Sequence, residues 1–242
     1  MEINFKNNFL IGDCIHGVMT WPVGDGVLGP CLKNYGEWSE GENIIMSQFI
    51  NNGDTVIDIG ANIGEVTDYI SKKYNCNIYA YEPNPACFNH MKLKFKEINK
   101  IIINDCAVSN FNGNDFLYFH FDAKGNDDIR YIQGATLRKE KDNIDINKKI
   151  KVKVLDIKDI LGSFKRINLI KIDIEGSEYS ILPELINNKE KIDLVLCEMH
   201  GNPKGKKING KHKNKNFTKE YNSIILELKK LGLYNNWFYE WH

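Results

Sequence analysis

The 242-residue chain has no excess charge of either sign, with Lys plus Arg and Asp plus Glu both at 32. Composition therefore gives it no global field that would draw it to nucleic acid or to an anionic membrane. Its six cysteines, Cys14, Cys31, Cys76, Cys87, Cys106 and Cys197, include no C-x-x-C pair and have no histidine partner at zinc spacing. Cys76, Cys106 and Cys197 sit in apolar runs, so reduced, mostly buried thiols are expected instead of disulfides or a metal knuckle. No apolar run approaches the roughly 20 residues that span a bilayer. The N-terminal "MEINFKNNFLIGDC" also lacks the basic start, apolar core and small-residue cleavage site of a secretory leader. A cytoplasmic location with no membrane span is the expectation. Internal repeats are absent too, which excludes a solenoid.

What is present suits one globular α/β domain. Hydrophobic residues make up 42 % and aromatics 11 %, enough for a sizeable core. From Thr55 onward, short Val/Ile-rich runs alternate with amphipathic segments, the pattern of βαβ units around a mostly parallel sheet. Seven core strands are predicted: 55–59, 77–81, 101–105, 168–172, 193–198 and a terminal pair around 233–241. Helices are predicted over 63–74, 85–99, 177–187 and 218–231. Residues 116–121 and 151–155 alternate like strands, with the turn-rich "DAKGNDD" between them, and predict an antiparallel insertion. Residues 1–52 precede the first core strand and read as an arm or lid packed on a domain spanning 53–242.

The stretch "GDTVIDIGANIGE" carries the first functional signal. A strand runs into Gly60 and Gly64 and then a helix, the junction at which α/β proteins seat a nucleotide or nucleoside. A tight turn that happens to use glycine explains those two residues equally well, and the spacing is not the G-x-G-x-x-G of nicotinamide binders. The neighbouring strand ends decide between the readings. Asp58 lies at the end of the first strand, Glu82 at the end of the second and Asp105 at the end of the third. In turn they suit an amino-acid moiety, ribose hydroxyls and an adenine amino group. Three carboxylates would repel a pyrophosphate, and the phosphate-free cation that fits is S-adenosylmethionine.

The motifs "VIDIGANIGEVT", "IYAYEPNP", "NDCAVSNFNG" and "VLDI", with "LIKIDIEGSEYSIL" and "LVLCEMHG" above all, resemble the FkbM family of S-adenosylmethionine-dependent methyltransferases. The resemblance runs from about Gly53 to Gly201. It implies the Rossmann-like seven-stranded sheet of class I methyltransferases and O-methylation of hydroxyls on sugars or related metabolites. It also implies Asp58, Gly60, Ala61, Asn62, Gly64 and Glu82 as cofactor residues, with Asp105 and Cys106 framing the adenine.

A methyl group on a sulfonium is already activated, so the protein must mainly position a nucleophile and take its proton. The crevice at the strand carboxyl ends is where that happens in a doubly wound sheet. Asp173 and Glu175 are spaced i, i+2, as are Glu198 and His200, so each pair projects to one side of an extended segment. His200 is the candidate base because its ordinary pKa lies near neutrality; Asp173 and Glu198 compete for the role or orient the ring. Glu178 reads as a helix-start carboxylate, and Lys171 as a structural partner of one of the acids. A divalent metal on Asp173, Glu175 and Glu198 is a secondary reading, and none is expected to be required.

The lysine-rich segment Asn202–Asn216 reads as a solvated loop more than as a recruiter of anionic acceptors. A small-molecule or glycan acceptor is expected, not nucleic acid. "DIEG" stands where RNA and DNA amino-methyltransferases carry an Asn/Asp-Pro-Pro-aromatic tetrapeptide. The alternatives are a methyltransferase acting on RNA or protein, or a cofactor-binding module without catalysis.

Overall fold

The computed structural model describes residues 9–25, 28–35, 40–124, 131–201, 207–208, 211–212 and 215–241. The arm opens with an antiparallel hairpin, β1 (Phe9–Cys14) and β2 (Gly17–Pro22), followed by α1 (Leu28–Tyr35) and α2 (Glu40–Phe49). The first half of the core runs β3 (Thr55–Ile59), α3 (Glu65–Lys73), β4 (Asn77–Tyr81), α4 (Pro85–Lys94) and β5 (Ile101–Asn104). Next come β6 (Ala107–Ser109), β7 (Gly113–His120), β8 (Ile144–Asp156) and α5 (Ile157–Gly162). The second half contains β9 (Leu169–Ile172), α6 (Leu182–Asn187), β10 (Val195–Glu198), the short β11 (Lys207–Ile208) and β12 (Lys211–His212), α7 (Thr218–Lys230) and β13 (Phe238–Trp241).

The central sheet is parallel throughout, in the order β13-β10-β9-β3-β4-β5. The chain builds outward from β3 to β5, then returns to lay β9 against the other side of β3. That reversal makes the β3/β9 boundary the switch point, where the strand carboxyl ends leave a crevice. Burial on both faces explains why these strands read as continuous apolar runs. Ile57, Ile59, Ile170, Ile172 and Val195 face α6 and α7, whereas Val56, Ile78, Leu169 and Leu196 face α2, α3 and α4.

The expected seventh strand is not found among the described residues. Asn235–Trp237 forms a turn and Tyr234 makes an isolated bridge to Phe238, with Gly232 and Asn235 at positive φ, and the Trp237 indole N–H donates to Ile192 O. This turn takes up the residues expected to supply the other member of the terminal pair, so the pair is the single strand β13, parallel to β10. The insertion is mixed, not purely antiparallel: β7 pairs antiparallel with β8, while β6 pairs with it in parallel. The helix expected over 177–187 is split into a 3-10 turn, Glu178–Ser180, and α6. Pro183, which has no N–H to give, stands in the first turn of α6.

The arm packs on the core through Met19, Trp21, Leu28 and Leu32, which meet Ile63 and Cys87. Further along the arm, Met46 and Ile50 join the cluster beneath β3. All six cysteines are free. Among the described residues no helix is long and apolar enough to cross a membrane.

Candidate active site

The two glycines of the β3–α3 turn are required for different reasons. Gly60 has φ +80°, and a Cβ there would lie 1.8 Å from the Asp173 carbonyl oxygen, because the turn crosses directly over the end of β9. Gly64 has φ +78°, and a Cβ there would press on the Phe95 and Met91 side chains of the α4 region. What these glycines approach is the protein's own chain. Between them Asn62 also adopts positive φ, and the Gly60 and Ala61 N–H groups both donate to Tyr81 O. The turn is thus clamped across β3, β4 and β9.

Glu82 provides the second clamp. Its Oε2 accepts from the Asn62 N–H at 2.8 Å and its Oε1 from the Asn84 N–H at 2.7 Å. Burial pushes its carboxyl up to about 7, against the pull of those two donors. Each oxygen keeps a second lone pair for a ligand hydroxyl. Asp58 is fully buried; its Oδ2 accepts from the Thr67 hydroxyl at 2.7 Å, and its Oδ1 lies 3.8 Å from Lys171 Nζ without a hydrogen-bond donor. Asp105, exposed, and Cys106, buried, follow β5 at the same edge. Burial raises the Cys106 thiol to about 11, so it stays protonated and unreactive.

Lys171 is buried between Asp58 and Asp173, 3.8 Å from each. Burial works against its charge, but Asp58, Asp173, Glu42 and Glu65 outweigh that and hold the ammonium above its ordinary range. This bears out Lys171 as a partner of carboxylates. Glu42 on α2 and Glu65 at the start of α3 act on the same lysine, and sequence reasoning missed both. In sequence Glu65 is indistinguishable from a dipole-favouring first-turn acid, and Glu42 sits in an arm whose placement only packing decides.

Around His200 the ionic arrangement is tight. Nδ1 lies 2.8 Å from Glu178 Oε1, and Nε2 lies 2.9 Å from Glu175 Oε2 and 3.9 Å from Glu198 Oε1. With a carboxylate oxygen against each nitrogen, the ring has to present two N–H donors, which makes it an imidazolium. Burial opposes that charge, but Glu175 and Glu178 override it and lift His200 well above its ordinary pKa. Glu178 is therefore a fully buried partner of His200, its Oε1 also accepting from the Gly176 N–H, and not a simple helix-start charge.

The insertion reaches into this cluster. Lys141, its side chain fully buried, donates to Glu175 Oε2 at 2.6 Å and to Gly134 O at 2.7 Å. The Thr136 hydroxyl donates to Glu175 O, and Arg138 donates to Gly176 O while lying over the Phe217 ring. Tyr179 OH donates to His200 O. Glu175, held at φ +56°, carries its charge well below the ordinary range: burial opposes this, and Lys141 and His200 prevail.

Glu198 and Asp173 are the acids left open, each about 30 % exposed at the side chain. Burial, with Asp173 and Glu175 adding repulsion, pushes Glu198 up to about 8. Burial likewise raises Asp173, whose Oδ1 has no donor. Asp173, Glu175 and His200 offer ligand atoms within 4.8 Å of one another, but Lys141 and the imidazolium already compensate that charge. The Asn202–Asn216 segment rejoins the fold where the Asn216 amide donates to Glu140 O and Asp142 Oδ1. The side chains of Lys204, Lys206, Lys207, Lys211, Lys213 and Lys215 lie outside the described residues.

Residues 58–232 match the family model described as the methyltransferase FkbM domain. "Methyltransferase 1" of Beauveria bassiana is 29 % identical over 159 residues, covering 60 % of this chain and 64 % of that protein. "Hexuronic acid methyltransferase AglP" of Haloferax volcanii is 22 % identical over 149 residues, covering 61 % and 56 %. The match thus spans less than two thirds of the length of these curated relatives. Among solved structures, a TehB-like SAM-dependent methyltransferase from Corynebacterium glutamicum aligns over 81 % of this chain and 78 % of its own, at 12 % identity and a TM-score of 0.39.

Proposed function

Because the chain belongs to the FkbM methyltransferase family, we propose that it is an O-methyltransferase acting on a hydroxyl of a sugar or related metabolite. The cofactor is S-adenosylmethionine, and the residues present suit it. Buried carboxylate oxygens without donors at Asp58, Glu65 and Asp173 call for a cationic, donor-bearing ligand, and the free lone pairs of Glu82 suit ribose hydroxyls. In this reading Gly60, Ala61, Asn62 and Gly64 shape the floor of the pocket, and Asp105 and Cys106 border the adenine.

When bound, the cofactor supplies a methyl group already activated on a sulfonium. The chain's own residues must align the acceptor hydroxyl and receive its proton. Glu198 carries the reading: it is an open carboxyl at the end of β10 with a pKa of about 8, near enough to neutrality for a general base. Asp173 stands across the crevice as a second acceptor for substrate hydroxyls. His200, charged and held between Glu175 and Glu178, is a positioning residue in place of the base expected from its residue type. Its cation keeps Glu198 lower than burial alone would allow. A sugar acceptor is supported by the carboxylates facing the crevice, which suit hydroxyl donors, and by the named activity of the Haloferax relative.

The test is incubation with methyl-labelled cofactor and separate pools of neutral sugars, uronic acids, other small hydroxylated metabolites, RNA and protein. A methyl ether in a carbohydrate or metabolite pool is expected. Label found instead in RNA, protein or an amine would overturn the assignment.

A further inference from the structure

Glu42 stands on α2, outside the segment that matches the family. Its side chain is nonetheless buried, 5 % exposed, with Oε1 sealed from solvent and without a hydrogen-bond partner. The charged groups facing it come from three other elements: Lys171 on β9 with Asp173 just beyond, Asp58 on β3, and Glu65 at the start of α3. Asp58 Oδ1, Glu65 Oε2 and Asp173 Oδ1 are also buried without donors. Four carboxylates thus act on one lysine, Asp58 and Asp173 at 3.8 Å, and each offers an acceptor without a hydrogen-bond partner among the described residues. A buried acceptor left in this way is destabilising unless a ligand completes it.

What completes such a set is a cation with several N–H donors. A primary ammonium has three and no acceptor, whereas a sulfonium has none. We propose that Glu42 is a cofactor residue supplied by the arm: its carboxylate accepts a hydrogen bond from the ammonium at the amino-acid end of S-adenosylmethionine, alongside Asp58. The proposal rests on placing the cofactor at the β3 turn. It makes the arm part of the cofactor site and not only a cover over it.

The electrostatics give the proposal a pH signature. Without ligand, burial pushes both Glu42 and Glu65 up to about 7, with Lys171 opposing and the neighbouring acids adding to the rise. Near neutrality each is partly protonated. A bound ammonium favours the ionised form, so binding expels protons and tightens as pH rises through this range.

The experiment is calorimetric titration of the full chain with S-adenosylhomocysteine, comparing wild type, Glu42→Gln and Glu82→Ala. A second ligand is the analogue in which hydrogen replaces the amino group. Glu42→Gln is expected to weaken S-adenosylhomocysteine by about tenfold near pH 8 and by much less near pH 6, as for loss of one hydrogen bond to a charged group. The deaminated analogue should bind both proteins equally. An equal loss for the two ligands, or no loss near pH 8, overturns the proposal. Should Glu42→Gln not fold, Glu42→Asp is compared instead: a loss for S-adenosylhomocysteine with none for the deaminated analogue supports the proposal, and an equal loss for the two overturns it. If wild type binds and only Glu82→Ala weakens binding, the role of Glu42 fails alone. If wild type does not bind, the cofactor placement fails with it.

Discussion

At the scale of single residues, the proposed roles follow charge and not residue type. A histidine with a carboxylate at each nitrogen is already charged at neutral pH, so it has no lone pair with which to take a proton. Glu198→Gln is therefore expected to lower kcat by about 10²–10⁴ while cofactor affinity holds. His200→Gln should retain more turnover than Glu198→Gln, and its pH–rate profile should separate positioning from base catalysis. Removing the imidazolium lets Glu198 rise further, so the acidic limb should move to higher pH. An unmoved limb together with a loss as deep as that of Glu198→Gln would return the base role to His200. Glu82 has a double duty in the proposed site, since its two oxygens also hold the Asn62 and Asn84 N–H groups. Glu82→Ala should weaken cofactor binding by about 1–3 kcal/mol. The same change should also lower the unfolding midpoint of the ligand-free chain, as a buried and a half-buried donor lose their acceptor. Calorimetry and thermal unfolding read the two effects separately.

At the scale of elements, the site depends on how closely β3, β9 and the insertion approach one another. Gly60→Ala places a methyl against the backbone oxygen of Asp173, which cannot swing away, and adds a left-handed strain of about 1–2 kcal/mol. Gly64→Ala carries the same strain but meets the side chains of Phe95 and Met91, which can shift. Urea unfolding should rank Gly60→Ala as much the more damaging, and equal losses would show that the β3–β9 crossing is not rigid. The insertion contributes Lys141 to the other end of the site. Lys141→Met leaves Glu175 with His200 alone, and removing one partner of a buried pair costs about 3–5 kcal/mol. The lower end is expected because the imidazolium remains.

At the scale of the whole molecule, the raised carboxyls make stability depend on pH in an unusual direction. Glu42, Glu65 and Glu82 titrate near 7 and Glu198 near 8 in the fold, against about 4.3 in an unfolded chain. A raised folded pKa means that the native state holds more protons, so the contribution is full below the unfolded value of about 4.3 and is lost between that value and the folded one. His200, raised as well, acts in the same sense above its unfolded value of about 6.5. His90 acts oppositely: burial lowers it to about 3, so it destabilises the fold as pH falls below about 6.5. Stability of the ligand-free chain should therefore decline from about pH 4.5 to about pH 8, with His90 offsetting part of the fall below about pH 6.5. S-adenosylhomocysteine should raise the unfolding midpoint more at the upper end of that range. Denaturant unfolding across the range checks the slope, and a rise in stability with pH would show that these acids are ionised in the fold.

The amino-acid sequence alone determined the layout of the parallel core. Burial on both faces leaves Val/Ile runs such as Val56–Ile59 and Leu169–Ile172 visible without any knowledge of their neighbours, and strand ends follow from those runs. Strand-end acids and the glycine turn were therefore legible, as was the cofactor class they suit. Everything that depends on approach across the fold was decided by tertiary structure. A turn at Asn235–Trp237 stands in place of the expected strand, and the Trp237 indole there donates to Ile192 O, far away along the chain. Glu178 and Glu175 became partners of His200 because β9 and β10 lie side by side. Lys141 and Glu42 entered the site from segments with no motif. Protonation state is the clearest case: the pKa of a histidine or glutamate is set by the charges and the burial around it, and neither is written in its residue type.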